Sequence, residues 1–160
     1  MTARDFWEMA SFVVTALGLP FAIGFFAWEQ RKERDNEEEE GYQLLSDAYN
    51  DFLKVVLAHP DLHLRTNEPM SNPTTEQIER MLVIFDMLVS LFERAYLVAY
   101  KPRMSETEAR RWNSWDDYMH EWCRRDDFRN ALPQLLRGED PQFQQYLRRI
   151  ADEERGALHL

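Results

Sequence analysis

The chain has 160 residues, one cysteine and a formal net charge of −10, from 29 Asp and Glu against 19 Lys and Arg. That length admits one compact domain plus an appendage and excludes two domains of ordinary size. The acidic balance sets aside nucleic acid as a partner, whose phosphates are held by Lys and Arg, and a single thiol, Cys123, excludes an intrachain disulfide.

Residues 9–28 read MASFVVTALGLPFAIGFFAW, twenty residues without a charge. As a helix rising about 1.5 Å per residue, this run matches the ~30 Å hydrocarbon layer of a bilayer. Trp7 and Trp28 flank it at positions suited to the two interfacial belts, where an indole keeps its ring apolar and its N–H wet. A cleavable leader fits less well, because Arg4 is offset by Asp5 and Glu8 and no small-x-small pattern follows the run. The expectation is an N-terminal transmembrane anchor over 1–28, in contact with membrane lipid. Pro20 removes one backbone donor in mid-span and kinks the helix. Gly18 and Gly24 flank that kink and offer a close-approach face for a membrane partner. Arg31, Lys32 and Arg34 follow the span and outnumber Arg4 before it, which places the C-terminal domain in the cytoplasm.

Residues 29–40, EQRKERDNEEEE, contain no apolar side chain. Pairs such as Arg31 with Asp35 and Arg34 with Glu38 stand four apart, so 29–41 reads as a charged, solvated helical stalk. Removing residues 1–28 takes away one cation and two anions, so the remainder is acidic in its own right.

From residue 42 onward the apolar residues recur at intervals of three and four. Tyr42, Leu45, Tyr49, Phe52 and Val56 form one helix face, which Pro60 ends. Prolines 60, 69 and 73 mark a long loop with no expected regular element. Thr74 with Gln77 has capping-box spacing and opens a long apolar helix running to about Tyr100. Asp86, Glu93 and Arg94 argue against that helix being a second membrane span, since each costs roughly 2.5 kcal/mol or more at a bilayer centre. Ser105 with Glu108 repeats the capping box and opens a third helix, on which Trp112, Trp115, Met119 and Trp122 share one face. Phe128, Leu132, Leu135 and Leu136 predict a short helix interrupted at Pro133 and ended by Gly138. Phe143, Tyr146, Leu147 and Ile150 predict a last helix before a frayed tail over 156–160. No segment alternates with period two, so the fold class is all-α: a membrane helix continuing into a stalk, then an acidic bundle of about four helices over 42–155.

Chemistry is sparse. Asp117, His120 and Cys123 stand three apart on one helix, and carboxylate-x-x-His is the unit from which bundle metal sites are built, with Glu93 as a further carboxylate. A single copy of the motif makes these weak metal candidates, and a partly exposed helix histidine beside a structural thiol accounts for them better. Asp86 and Glu93 lie seven apart on the central helix and read as its wet side or as partners of Arg110 or Arg111. His59 and His63 open the proline-rich loop. Trp112, Trp115 and Trp122 are either core or an exposed partner groove. No phosphate loop, nucleophile elbow or nucleotide fingerprint occurs, so neither a catalytic set nor a cofactor is expected.

The stretch FDMLVSLFERAYLVAY, with Phe92 and Glu93, followed by RRWNSWDDYMHEW, with Trp112 and Trp115, resembles bacterial single-pass membrane proteins of unknown function. The resemblance spans residues 6–150 loosely. It implies a bacterial inner-membrane setting and carries no activity. The reading of the whole chain is a non-catalytic, membrane-tethered interaction or accessory subunit that meets a membrane-protein partner or its own copies. The alternative is a metal-binding or redox bundle built on Asp117, His120 and carboxylates of the central helix.

Overall fold

The computed structural model of the chain describes residues 25, 26, 28–30, 32, 33, 39–66 and 68–157. It divides into two compact units, Met1–Gly41 and Tyr42–Leu160. In the first unit the described residues are helical. Phe25, Phe26 and Trp28 each expose more than half of their surface. The Trp28 ring lies 5.9 Å from that of Phe25 and carries the Lys32 ammonium 5.6 Å from its centroid. The rest of the expected span, with Trp7, Gly18, Pro20 and Gly24, lies outside the described residues. Among the described residues no helix is long and apolar enough to cross a membrane, so the expected transmembrane helix gains no support from the structure.

The second unit holds five α-helices among the described residues, at the five segments where the apolar pattern places them and against a bundle expected to have about four, and no strand. Helix α1 covers residues 42–58. Leu45, Tyr49, Phe52 and Val56 are buried at spacings of four, three and four, the stripe that a 3.6-residue period places on one side. Tyr42 sits at the margin under the Arg111 guanidinium, 5.4 Å from its ring centroid. The helix stops because Pro60 has no N–H to continue it, and the His59 ring Nδ1, carrying its proton, hydrogen-bonds the orphaned Val55 carbonyl at 2.9 Å.

The proline-rich segment is more ordered than its composition predicts. Pro60–Leu62 forms a 3-10 turn, and His63 takes a left-handed conformation with φ 51°. That turn drives Leu62 and Leu64 into the core, where they are 0% and 4% exposed. A loop with two buried leucines is a packed element.

Helix α2, Thr75–Ala99, opens on the expected capping box: Gln77 N donates to Thr74 Oγ1 at 3.2 Å and Thr74 N to Gln77 Oε1 at 2.9 Å. Its nine buried residues, from Met81 to Tyr96, make it the central element, packed on α3, α4 and α5. Ile78, expected inside, is 41% exposed at the helix entry. Pro102 biases the residue before it toward extended backbone, so the helix ends at Ala99.

Helix α3, Glu106–Cys123, begins with the second capping box, in which Glu108 N donates to Ser105 Oγ at 3.3 Å and Ser105 N to Glu108 Oε2 at 2.6 Å. Helix α4, Asp126–Leu135, runs through Pro133 where an interruption is expected. Pro133 lies in the last turn, so the ring removes one ladder donor and Leu136 N still reaches the Leu132 carbonyl at 2.9 Å. Gly138, at φ 93°, supplies the left-handed residue that turns the chain. Helix α5, Pro141–Ala157, has Asp140 as its cap, whose Oδ1 accepts from the N–H groups of Gln142 and Phe143 at 2.8 and 2.9 Å. It extends two residues past the expected domain end, with Pro141 placed where a helix tolerates proline best.

Candidate functional site

The three tryptophans of α3 form core. Trp112, Trp115 and Trp122 expose 5%, 2% and 2% of their surface, so they are unavailable as a partner groove. Spacings of three and seven put all three on the side facing α1 and α2. Trp122 meets Phe52 and Phe85 edge-on at 5.7 and 6.4 Å, and its Nε1–H donates to Tyr49 Oη at 3.4 Å. Tyr49 stacks on Tyr118 at 4.3 Å and meets the Trp115 edge at 5.7 Å. At the other end, Tyr96, Tyr100, Trp112 and Tyr146 pack ring against ring at centroid separations of 4.6 to 6.0 Å. Offset and edge contacts of this kind add about 0.5–1.5 kcal/mol per pair beyond burial.

Behind the tryptophans, Asp116, His120 and Arg124 stand four apart and line the α3 edge toward α5. Trp112 Nε1–H donates to Tyr146 Oη at 3.1 Å, and the Tyr146 hydroxyl donates to Asp116 Oδ1 at 2.6 Å. Burial, then the Asp116 hydrogen bond, raises the Tyr146 phenol well above its ordinary range. His120 Nδ1 is 2.8 Å from Glu154 Oε1, which fixes the proton on that nitrogen when the imidazole is neutral. Its Nε2 lies 3.8 Å from Asp116 and 3.9 Å from Glu153, beyond hydrogen-bond length. Arg124 Nε reaches the other Glu154 oxygen at 3.4 Å.

This ladder revises the metal candidates. His120 is hydrogen-bonded to Glu154 of α5, with Asp116 the nearer acid on its own helix, and Asp117 is exposed. Glu93 is on α2 and accepts from the Asp140 N–H at the start of α5. Among the described residues no group of three or more His, Cys, Asp or Glu side chains could hold a metal ion. Cys123 is fully buried, and burial pushes its thiol up to about 12, so it is no nucleophile at neutral pH.

Two buried arginines escaped the sequence reading. Arg125, 2% exposed, donates Nε and Nη2 to the two carboxylate oxygens of Asp127 at 3.0 and 2.6 Å, and Nη1 to the carbonyls of His63 (2.8 Å) and Thr66. Arg129, 5% exposed, bonds the Cys123 carbonyl and Asp126. The run RRDDFRN carries the signal, since two arginines beside two acids at a helix start invite internal pairing. Its long-range half, the loop carbonyls, has no sequence trace. Arg110, offered as a partner of Asp86 or Glu93, bonds Glu106, and the Arg111 guanidinium covers Tyr42.

Glu93 has a second neighbour. That neighbour is Glu139: interaction with the Glu93 carboxyl, then partial burial, then the field of Glu93 and Asp86, raises Glu139 to about 7. The pair joins α2 to the α4–α5 connection.

Apolar side chains face water on α1, where Leu44 and Leu57 are 63% and 76% exposed, and on the outer side of α2, where Val83, Met87, Leu97 and Val98 are 61%, 45%, 59% and 55% exposed. A hollow of about 260 Å³ beside it is lined by Leu82, Val83, Asp86, Gln134 and Leu135. An open groove of about 650 Å³ runs along the 63–71 loop, between His63 and Ser71. The fold and these surfaces define an all-α bundle in which His120, Glu93, Arg125 and Arg129 are engaged within the domain and whose central helix leaves Val83, Met87, Leu97 and Val98 uncovered. Comparison with protein-family models, with curated proteins and with solved structures finds no match.

Proposed function

We propose that the chain is a membrane-tethered, non-catalytic interaction subunit. Residues 9–28 hold it in the bilayer, and the helical domain offers its surface to a protein partner. The observation that carries the tether is the uncharged run of twenty residues bounded by Trp7 and Trp28, of the length a bilayer crossing requires. The basic cluster of Arg31, Lys32 and Arg34 orients the domain to the cytoplasm, and the resemblance to single-pass bacterial proteins supplies the inner membrane as its setting.

Support for an interaction role comes from the contrast between interior and surface. His120, Glu93 and Arg125 are each engaged by side chains or backbone of the same domain. The half-exposed aliphatic side chains of α2 have no such partners and share one helix face with Asp86 and Arg94, a mixed apolar and charged surface of the kind protein contacts use. The metal-binding alternative lacks comparable support, because Asp117, His120 and Glu93 face different surroundings. Purification of the tagged full chain in mild detergent tests the role. A stoichiometric companion, or a second copy of the chain, is the expected result; a lone monomer at every concentration overturns it.

A further inference from the structure

The outer face of α2 is complementary to itself. Reading along the helix, Glu79, Val83, Asp86, Ser90, Arg94 and Leu97 recur at intervals of three and four and form one exposed stripe, with Met87 and Val98 on its flank. Along the stripe Glu79 and Asp86 stand before Ser90 and Arg94 after it, while Glu76 at the helix entry is paired with Arg80. Among the described residues, neither Asp86 nor Arg94 makes a hydrogen bond or ion pair. The apolar residues are placed evenly about the same centre, with Val83 seven residues before Ser90 and Leu97 seven after.

We propose that a second copy of this chain docks on this face, its α2 running antiparallel to the first about a two-fold axis at Ser90. In that register Val83 opposes Leu97 of the second copy and Asp86 opposes its Arg94, and symmetry repeats both contacts. Met87 lies against the aliphatic stem of Arg94, and Ser90, the smallest side chain of the stripe, sits on the axis where the backbones approach most closely. The hollow beside Val83 and Leu135 receives Leu97 or Val98 of the other copy. A parallel pairing would set Asp86 against Asp86 and Arg94 against Arg94, so charge selects the antiparallel one. One helix pair buries less than the ~1,200–2,000 Å² of a standard interface, so association is weak and concentration-dependent. This inference rests on the interaction role proposed above and names its partner.

The test uses the purified full chain in detergent. Ser90→Cys is expected to form a disulfide-linked dimer under mild oxidation, while an exposed control off the stripe, Glu106→Cys, does not; Cys123 stays silent because it is buried. By sedimentation, Asp86→Arg and Arg94→Asp each weaken self-association by about tenfold or more, and the double variant, which exchanges the two charges, restores it. Both positions are exposed, and circular dichroism confirms that each variant folds. Equal cross-linking of Ser90→Cys and the control, or charge reversals that leave association unchanged, overturn the two-fold pairing. In that event a different companion co-purifying with the chain still leaves the interaction role standing, whereas a lone monomer removes both.

Discussion

Arg125 reaches back to the other side of the proline-rich loop and donates Nη1–H to the carbonyl of His63 at 2.8 Å, 62 residues earlier in the chain. The same nitrogen serves Thr66, and Asp127 takes the other edge of the guanidinium in a bidentate pair. A planar fork with five donors can satisfy two carbonyls and a carboxylate at once; an ammonium cannot. Each charge-assisted bond contributes about 1.5–3 kcal/mol, and Arg125→Ala also leaves the carbonyls unpaired, so its expected cost is about 3 kcal/mol. Urea denaturation measures it. Arg125→Lys should recover less than half, and limited proteolysis should cut both variants faster between residues 59 and 74. A change within about 0.5 kcal/mol for Arg125→Ala would mean the clamp contributes nothing.

The tryptophans carry a sharper contrast. Trp122→Ala should lose about 3–5 kcal/mol, because it empties the space between Phe52, Phe85 and Phe128 and strips the Tyr49 hydroxyl of a donor. Trp28→Ala removes an indole that is 59% exposed in the other unit and should leave denaturation of the domain within about 0.5 kcal/mol of the parent. Denaturation curves followed by near-ultraviolet circular dichroism separate the two.

Glu139 gives the domain a pH dependence of unusual sign. Its carboxyl sits against Glu93 and is raised to about 7, from an ordinary 4.5, so the native state binds this proton more tightly than the unfolded chain does. Linkage then requires this contribution to be fully present below about 4.5 and lost as pH rises through 7. Midpoints of urea unfolding between pH 5 and 8 should fall with rising pH, and Glu139→Gln should remove that slope. A flat profile for the parent chain would exclude the carboxyl pair.

Glu108 works in the opposite sense. Lys101 at 2.6 Å, then the Ser105 N–H, hold its carboxyl down at about 2. Its contribution is therefore present above about 4.5 and disappears as pH falls toward 2. Ser105→Ala removes the reciprocal half of the capping box and should cost about 1 kcal/mol at neutral pH. Glu108→Gln, compared with the parent across that acid range, should flatten the low-pH loss.

Much of the architecture is legible in the sequence where the determining contacts are local. Thr74-x-x-Gln77 and Ser105-x-x-Glu108 fix the first turns of α2 and α3 because each cap is satisfied within four residues. The aromatic face of α3 follows from spacing alone. What was not legible depends on residues far apart in the chain. Leu62 and Leu64 are core in a loop that a 3-10 turn folds inward and that Arg125 holds by its carbonyls, and nothing near residue 60 announces that distant partner. Asp117 and His120 have a metal motif's spacing, yet His120 turns toward Asp116 and Glu154, a choice set by where α5 packs. The outer stripe of α2 reads as the wet side of a helix until the structure shows that its aliphatic members are uncovered.

The central claim is that residues 9–28 tether the domain to a bilayer, and alkaline carbonate extraction of membranes from cells expressing the full chain tests it most directly. The account predicts that the chain stays in the membrane pellet and is released only by detergent. Recovery of the chain in the carbonate supernatant, with no fraction requiring detergent, would contradict it.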